Sequence, residues 1–201
     1  MVILGAGIAG TNACQVAVGT GAHVSILDID PGKLRYVHDI LGGHVTTVMS
    51  NRANVEEEVM AADLVVGAVL IPGALAPRLL PRTLVKAMLP GAAFVDLAID
   101  QGGCAETSRP TTHARPIYVA EHVVHYCVTN MPGIVPHTST YALTNATLSY
   151  ALEIADLGLV EALRRRAALR RACNVLGGRI THPAVAAAVG VEATDPEMLL
   201  A

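Results

Sequence analysis

A glycine-rich loop and one carboxylate carry the clearest chemical signal in this sequence. Gly5, Gly7 and Gly10 follow a short apolar run, and Asp28 ends a second apolar run 18 residues after Gly10. A strand, a G-x-G-x-x-G loop, a helix and then an acid are typical of a dinucleotide-binding site. Gly5 permits the tight turn, Gly7 leaves room for a pyrophosphate, and Gly10 lets the helix approach the strand.

The same loop and acid indicate which dinucleotide is bound. Phosphates would lie on free N–H groups at the start of the helix, where the helix dipole is positive. Asp28 can accept hydrogen bonds from both hydroxyls of an adenosine ribose, and its negative charge would repel a 2′-phosphate. The sequence therefore predicts NAD rather than NADP as the cofactor.

Polar or glycine-rich segments also follow the later apolar runs. In a parallel sheet, ligands bind outside the carboxyl ends of the strands. The segments at these ends are Met49–Asn51, Gly67–Gly73, Asp96–Gly103 and Val128–Gly133. On residue type alone, Asp100 before Gln-Gly-Gly fits the start of a turn better than a catalytic acid. Asp96 is expected to form hydrogen bonds at its strand end rather than to react.

Four longer motifs give the sequence a family resemblance. They are GAGIAG, ADLVVGAVLIPGALAP, VDLAIDQGGCAETSRPTTH and NMPGIVPHTSTYALTNAT. With them the sequence resembles alanine dehydrogenases from Val2 to near Asp156 and, more distantly, the NAD-binding subunit of proton-translocating transhydrogenases. The run IDQGGC followed by SRPTTH favours the dehydrogenases, because transhydrogenase subunits usually differ at the carboxylate of that loop.

The resemblance implies a set of NAD-binding residues and one catalytic side chain, Asp100. The loop that would hold the pyrophosphate is Gly5, Ala6, Gly7, Ile8, Ala9 and Gly10. The adenosine ribose would lie at Asp28 and Lys33, and the adenine near Ser50. Further contacts would come along the cofactor from Val69, Leu70 and Arg109, and beside the nicotinamide from Leu97, Ala98, Ile99, Asp100, Val128, Thr129, Asn130 and Met131.

The reaction that the resemblance implies is the reversible oxidative deamination of L-alanine. L-Alanine, NAD and water would give pyruvate, ammonium, NADH and a proton. Asp100 would position the amine, shuttle a proton through water or stabilise a cationic iminium, and the sequence does not choose among these roles. Simpler interpretations also exist: Lys33 fits a solvated helix charge, Ser50 a turn residue and Val69 a core residue.

The elements that must position these residues follow from an alternation of short apolar runs and helical patterns. The expected strands are residues 1–4, 23–27, 44–49, 64–69, 92–97, 117–120 and 123–128, and the expected helices are residues 8–19, 31–41, 55–62 and 81–88. Strands separated by helices imply crossover connections in a parallel sheet. The predicted fold class is α/β, a Rossmann-type doubly wound parallel sheet followed by C-terminal helices.

The pattern changes after Pro132-Gly133. From Val135 onward we expect helices over residues 137–157 and 159–173, then a polar turn, a short Ala/Val helix and a tail, with no strand. We therefore place a boundary near residue 134. Residues 1–134 would form the NAD-binding Rossmann domain, and residues 135–201 the C-terminal helical segment of a substrate domain.

Composition excludes several classes of protein. The 201 residues are 52% hydrophobic and 15% charged, with a net charge of −3, as suits buried parallel strands. The arginines at 164–166 and 170–171 favour a solvated or docking helix face, so no nucleic-acid partner is expected. Residues 1–27 contain no Asp, Glu, Lys or Arg but also lack the positive region of a signal peptide. We therefore expect a cytoplasmic protein with no membrane partner.

Cysteine and histidine spacing predicts neither disulfides nor a metal site. The four cysteines, Cys14, Cys104, Cys127 and Cys173, are far apart and are expected to be ordinary thiols, mostly buried. His122 and His125 lie three positions apart, and on a strand such positions face opposite sides, so a shared metal ion is not expected.

The resemblance also bears on what surrounds this sequence. In alanine dehydrogenases a substrate domain precedes the nucleotide domain, whereas only four residues precede Gly5 here. We therefore expect a truncated chain that acts in L-alanine catabolism, on L-alanine or pyruvate, only when a substrate domain completes it; the isolated chain is expected to be inactive. The full-length family is expected to form homo-oligomers. Two alternatives stay open: a stand-alone NAD-binding module or inactive remnant, and a transhydrogenase-like NAD-binding fragment.

Overall fold

The computed structural model describes residues 1–200, which form two compact units. Unit 1 comprises Met1–Ile71 and Leu75–Met131, and unit 2 comprises Pro72–Ala74 and the residues from Pro132 onward. Within the described residues, no helix combines the length and the apolar character needed to cross a lipid bilayer.

Unit 1 is a seven-stranded sheet with helices between its strands. The strands are β1 (Val2–Leu4), β2 (Ser25–Asp28), β3 (Thr46–Met49), β4 (Leu64–Gly67), β5 (Ala93–Asp96), β6 (Ile117–Ala120) and β7 (Val123–Tyr126). The helices are α1 (Ile8–Gly19), α2 (Pro31–Ile40), α3 (Arg52–Met60) and α4 (Arg82–Ala87), and a short 3₁₀ turn spans Ile99–Gln101. A second 3₁₀ turn, Met131–Ile134, begins at the last residue of unit 1 and continues into unit 2. The expected α/β class is confirmed.

The strand order is β3-β2-β1-β4-β5-β7-β6. All pairs are parallel except β6 with β7, which is antiparallel. The exception has a simple cause, because only Glu121 and His122 connect these two strands and both have positive φ, 50° and 65°. Two such residues make a hairpin turn, whereas a parallel pair needs a crossover of a dozen or more residues.

The strand order reverses direction between β1 and β4, which creates a crevice at their carboxyl ends. Side chains alternate across the sheet beneath it. Val2 and Leu4 pack with α3 and α4 on one face, and Ile3 packs with α1 and α2 on the other. Because both faces are buried, the strands are held rigidly and their carboxyl ends form a fixed platform for loops.

The helices of unit 1 begin where the sequence supplies caps. Asp30 accepts a hydrogen bond from the N–H of Gly32 at the start of α2, and Asn51 accepts one from the N–H of Asn54 at the start of α3. These caps satisfy donors that a helix itself leaves open. Helix α1 is different, since its N-cap is Gly7 and, within residues 1–200, no side chain caps it.

Unit 2 consists of helices and one small hairpin. Its elements are α5 (Pro136–Leu157), α6 (Leu159–Arg165), α7 (Ala167–Ala172), β8 (Val175–Leu176), β9 (Arg179–Ile180), α8 (Pro183–Val189) and α9 (Pro196–Leu199). The prediction that no strand follows Val135 is wrong. Gly177 and Gly178, with φ of 57° and 77°, form a two-residue turn between β8 and β9, and Gly-Gly between two short segments is a hairpin signal.

The prediction of one helix over residues 159–173 is also wrong, because Arg166 is extended and divides α6 from α7. The Nε of Arg166 lies 2.7 Å from Glu153 Oε2, and its guanidinium stacks over the Tyr150 ring. Arg170 Nη1 donates to the carbonyl of Leu163. These tertiary contacts end α6 where the local sequence contains neither Gly nor Pro.

Candidate functional site

The glycine-rich loop after β1 packs backbone against backbone. Gly5 has a φ of 105°, and a Cβ there would lie 2.6 Å from the carbonyl oxygen of Ala68. A Cβ on Gly10 would lie 1.8 Å from the carbonyl oxygen of Gly5. Both positions therefore require glycine, and the loop brings the start of α1 directly over the end of β1.

Gly7 has the opposite environment. A Cβ built on it would meet no atom of the described residues within 4 Å, and its φ of −76° suits any residue. The fold therefore does not require glycine at this position. Open space beside uncapped N–H groups at a positive helix end is what an anionic group such as a phosphate needs. Ile8, 87% exposed, borders the same space.

Asp28 is buried at the end of β2 and organises the loop beside it. Its Oδ2 accepts a 2.7 Å hydrogen bond from the N–H of Ala6, and its Oδ1 accepts a 2.9 Å bond from the N–H of Asp30. Lys33 Nζ lies 3.9 Å from Oδ2. Sequence reasoning missed the first contact, which satisfies the N–H of Ala6 within the fold. An ionised carboxylate accepts up to about four hydrogen bonds, so Asp28 retains capacity for ribose hydroxyls.

Three other expected contacts lie at neighbouring strand ends. The N–H of Ser50 donates to the carbonyl of Asp28 at 2.9 Å, which joins the segment after β3 to this acid. Val69 packs partly against the core, while Leu70 is 64% exposed. Sequence reasoning missed Ile29, an apolar side chain next to Asp28 that is 78% exposed. In the sequence, an apolar residue after a strand cannot be told from a continuation of that strand, and only its exposure in the structure separates the two.

Asp100 lies on the 3₁₀ turn after β5 and is exposed. Both of its carboxylate oxygens lie 3.3 Å from the N–H of Asn130, which donates to them. Asn130 has a φ of 51°, so the turn after β7 presents its N–H to the acid. The structure thus brings together the two segments, residues 97–100 and 128–131, that were expected to flank the nicotinamide.

Asp96 precedes this turn and is fully buried. It accepts hydrogen bonds from the N–H of Ala98, the N–H of Cys104 and the hydroxyl of Ser108. The expectation that Asp96 forms hydrogen bonds at its strand end is confirmed.

Arg109 lies on β6. Its guanidinium is 3.9 Å from the centre of the Tyr118 ring, and its N–H donates to the Tyr118 hydroxyl at 3.0 Å. Tyr118 in turn donates to the carbonyl of Thr107. In the described part of the chain, no hydrogen bond or ion pair links Arg109 to the glycine-rich loop or to Asp28, so its expected contact with the cofactor stays a prediction.

Several ionisable groups beneath these loops are held neutral by burial. Burial lowers the pKa of His125, whose Nε2 lies 2.8 Å from the Thr107 hydroxyl. Burial also raises the pKa of the Cys104 and Cys127 thiols and of Tyr118. Cys14, Cys104 and Cys127 are buried free thiols as expected, and Cys173 is partly exposed. Among residues 1–200, no group of three or more His, Cys, Asp or Glu side chains could hold a metal ion.

Comparison with known proteins decides the family. The family model described as "Alanine dehydrogenase/PNT, C-terminal domain" matches residues 1–183. The chain belongs to this family.

Individual members show the extent of the similarity. The alanine dehydrogenase of Methanococcus maripaludis is 52% identical over 201 residues, which are 100% of this chain and 54% of that protein. That of Geobacillus stearothermophilus is 53% identical over 199 residues, 98% of this chain and 53% of that protein. The chain therefore spans about half the length of the alanine dehydrogenases that it matches.

Solved structures agree with the family assignment. An L-alanine dehydrogenase superposes with a TM-score of 0.82 and 48% identity, over 94% of this chain and 52% of that one. A transhydrogenase from Sinorhizobium meliloti gives a TM-score of 0.71 and 27% identity, over 91% of this chain and 49% of that one.

Proposed function

We propose that this chain is the NAD-binding half of an NAD-dependent L-alanine dehydrogenase. The observation that carries the proposal is the open, uncapped N-terminus of α1 at Gly7, with the carboxylate of Asp28 fixed to the same loop through Ala6. Phosphates would lie on the N–H groups of the loop, and the adenosine ribose on Asp28. The sequence of this chain is 48% identical to that of the solved L-alanine dehydrogenase and 27% identical to that of the solved transhydrogenase, which favours the dehydrogenase.

The chemistry is proposed as reversible oxidative deamination of L-alanine to pyruvate and ammonium. Bound NAD would supply the acceptor for the hydride that leaves the substrate carbon. Asp100 is exposed at the strand ends and fixed by the N–H of Asn130, so its carboxylate is presented in one orientation. A carboxylate held this way can hold the amino group of the substrate or move a proton through water.

Turnover is proposed to require, in addition to these 201 residues, the substrate-binding part of an alanine dehydrogenase. The chain spans about half of its relatives, and loss of substrate positioning can forfeit about 7–11 kcal/mol of barrier reduction. The isolated chain should therefore bind NADH without measurable turnover, and the complete enzyme should be a homo-oligomer. An NAD-binding module without chemistry is the second candidate, since every cofactor contact proposed above lies within unit 1.

Calorimetric titration of the purified chain with NADH tests the cofactor site. Gly7→Ala is the most informative variant, because its added methyl group meets open space in the fold but enters the proposed phosphate position. We expect the Kd for NADH to rise at least about tenfold, since phosphates bound by backbone N–H groups use charge-assisted hydrogen bonds of about 1.5–3 kcal/mol each.

Gly19→Ala is the matched control for this titration. It makes the same change at the other end of α1, also into open space, and should leave the Kd unchanged. Equal affinity of the Gly7→Ala and Gly19→Ala chains would contradict the proposed phosphate position. Production of NADH from alanine by the isolated chain would contradict the proposed need for a substrate domain. Turnover that appears only after a substrate domain is added would favour the dehydrogenase over an NAD-binding module without chemistry.

A further inference from the structure

Asp96 is a buried carboxylate that the proposed reaction does not use. Its Oδ1 accepts a 3.0 Å hydrogen bond from the N–H of Ala98, and its Oδ2 accepts bonds of 2.9 Å from the N–H of Cys104 and 2.5 Å from the Ser108 hydroxyl. None of the ion pairs in residues 1–200 includes Asp96. The Asp96 carboxylate is therefore stabilised by hydrogen-bond donors of its own loop, and a buried carboxylate requires such partners.

The backbone is shaped to enclose this carboxylate. A Cβ on Gly103, whose φ is 79°, would lie 2.6 Å from Asp96 Oδ2. A Cβ on Gly67, at the end of β4, would lie 3.4 Å from Oδ1 and 2.3 Å from Cys104 Sγ. The loop after β5 thus closes around Asp96 and against β4, and no side chain larger than glycine fits at either position without a shift.

The three donors of Asp96 are distributed along the loop that carries the proposed reactive groups. Ala98 precedes Asp100 by two residues, and Cys104 follows it by four. Ser108 is adjacent to Arg109. Asp96 therefore fixes the loop on both sides of Asp100. Asp100 itself is exposed, and within residues 1–200 its carboxylate accepts hydrogen bonds from the backbone N–H of Asn130 alone.

We propose that Asp96 is a positioning residue, which holds the loop Leu97–Ser108 in the shape that receives the nicotinamide half of the dinucleotide. This inference rests on the proposed function. Dinucleotide-binding sheets consist of two mononucleotide-binding halves. Asp28 lies on β2, in the half formed by β1 to β3, whereas Asp96 ends β5 and Asp100 follows β5 in the other half. Loosening the loop should therefore affect binding at the nicotinamide end and spare the adenosine end.

A graded pair of variants tests this. Ser108→Ala removes one of the three hydrogen bonds, and Asp96→Asn replaces the charged acceptor, leaving an amide N–H opposite the N–H of Cys104. Each chain is titrated with NADH and with ADP-ribose, which lacks the nicotinamide. We expect the Kd for NADH to rise about fivefold in Ser108→Ala and at least about tenfold in Asp96→Asn, with the Kd for ADP-ribose unchanged within about twofold.

A second measurement needs no cofactor. The amide resonance of Asn130 in ¹⁵N-labelled chain should respond with a shift when Asp100→Asn replaces the carboxylate that this N–H contacts. In Ser108→Ala the response should weaken, because the loop no longer holds Asp100 against Asn130. Ser25→Ala, the same change at the amino end of β2, is the control and should leave both the response and the two Kd values unchanged.

The outcomes separate the two proposals. If wild-type chain binds no NADH, the proposed function fails, and the Asn130 resonance still decides whether Asp96 positions the loop. If NADH binds and Ser108→Ala changes neither its Kd nor the Asn130 response, the positioning role is wrong. If Ser108→Ala weakens NADH and ADP-ribose equally, Asp96 supports the unit as a whole and the proposal is also wrong. Ser108→Ala decides these cases even if Asp96→Asn does not fold.

Discussion

The loop after β1 and the loop after β5 lie at the same edge of one sheet but are built in different ways. The first depends mainly on missing side chains, because Gly10 approaches the Gly5 backbone more closely than any Cβ allows, and one buried carboxylate adds a single hydrogen bond to the loop. The second depends mainly on a buried charge, because Asp96 accepts hydrogen bonds from residues two, eight and twelve positions later, and glycines leave the room that this carboxylate needs.

This difference has a physical consequence. Backbone contacts at glycine are a matter of excluded volume, so the first loop tolerates almost no change at Gly5 or Gly10. A hydrogen-bonded loop depends on satisfied buried groups, so the second loses stability in steps as donors are left without an acceptor. We therefore expect a single substitution at Gly5 or Gly10 to disrupt the first loop, whereas the second loop should lose stability stepwise as its hydrogen bonds are removed.

Gly10→Ala should have the largest effect on stability. Its Cβ would lie 1.8 Å from the carbonyl oxygen of Gly5, so α1 must move away from β1, and we expect a loss of about 3 kcal/mol or more in the free energy of unfolding. Urea denaturation measures it. Gly19→Ala in the same helix is the control and should be neutral or slightly stabilising. Similar midpoints for the two variants would contradict the close backbone packing.

Asp96→Ala should come next. It leaves three donors of the second loop without an acceptor, and we expect a loss of about 1–3 kcal/mol by urea denaturation. Asp63→Ala, an exposed acid just before β4, is the matched control and should change stability by less than about 0.5 kcal/mol. If Asp96→Ala were as stable as wild type, the buried charge would not organise the loop.

A pH dependence should arise beneath the second loop. Burial holds the pKa of His125 below its ordinary value of 6.5, although the charge of Asp96 opposes this. Below pH 6.5 the unfolded chain therefore binds a proton that the folded chain does not, and stability should fall as the pH falls. His125→Gln should flatten this part of the stability profile, measured by denaturation between pH 5 and 7.5. An equally steep profile in the variant would assign the dependence to other histidines.

Lys33→Ala should have the smallest effect. Lys33 is 51% exposed and its Nζ lies 3.9 Å from Asp28, so the ion pair should contribute less than about 0.5 kcal/mol. Asp28 would then hold the first loop through the N–H of Ala6 alone. Arg35→Ala, another exposed cation on α2, should behave alike. A clearly larger loss for Lys33→Ala would show that the ion pair also shapes the loop.

Much of unit 1 could be predicted because its signals are local. The strand before Gly5, helix α1 and the acid at residue 28 all occur where glycine spacing and apolar runs indicate them. The antiparallel edge strand β6 was missed as such, although the two-residue connection at Glu121 and His122 forbids a crossover. In unit 2, the break at Arg166 depends on Glu153 and Tyr150 and leaves no local sign.

The sequence by itself determined the α/β class, the glycine-rich loop, the position of Asp28 and the family, because each depends on residue types a few positions apart. Only the tertiary structure decided that Asp28 binds the N–H of Ala6, that Asp100 meets the N–H of Asn130, and that Asp96 lies at the centre of its loop. These contacts join residues 8 to 30 positions apart. The order of the strands in the sheet sets the first two contacts and the closure of the loop after β5 sets the third, and no short stretch of sequence specifies either.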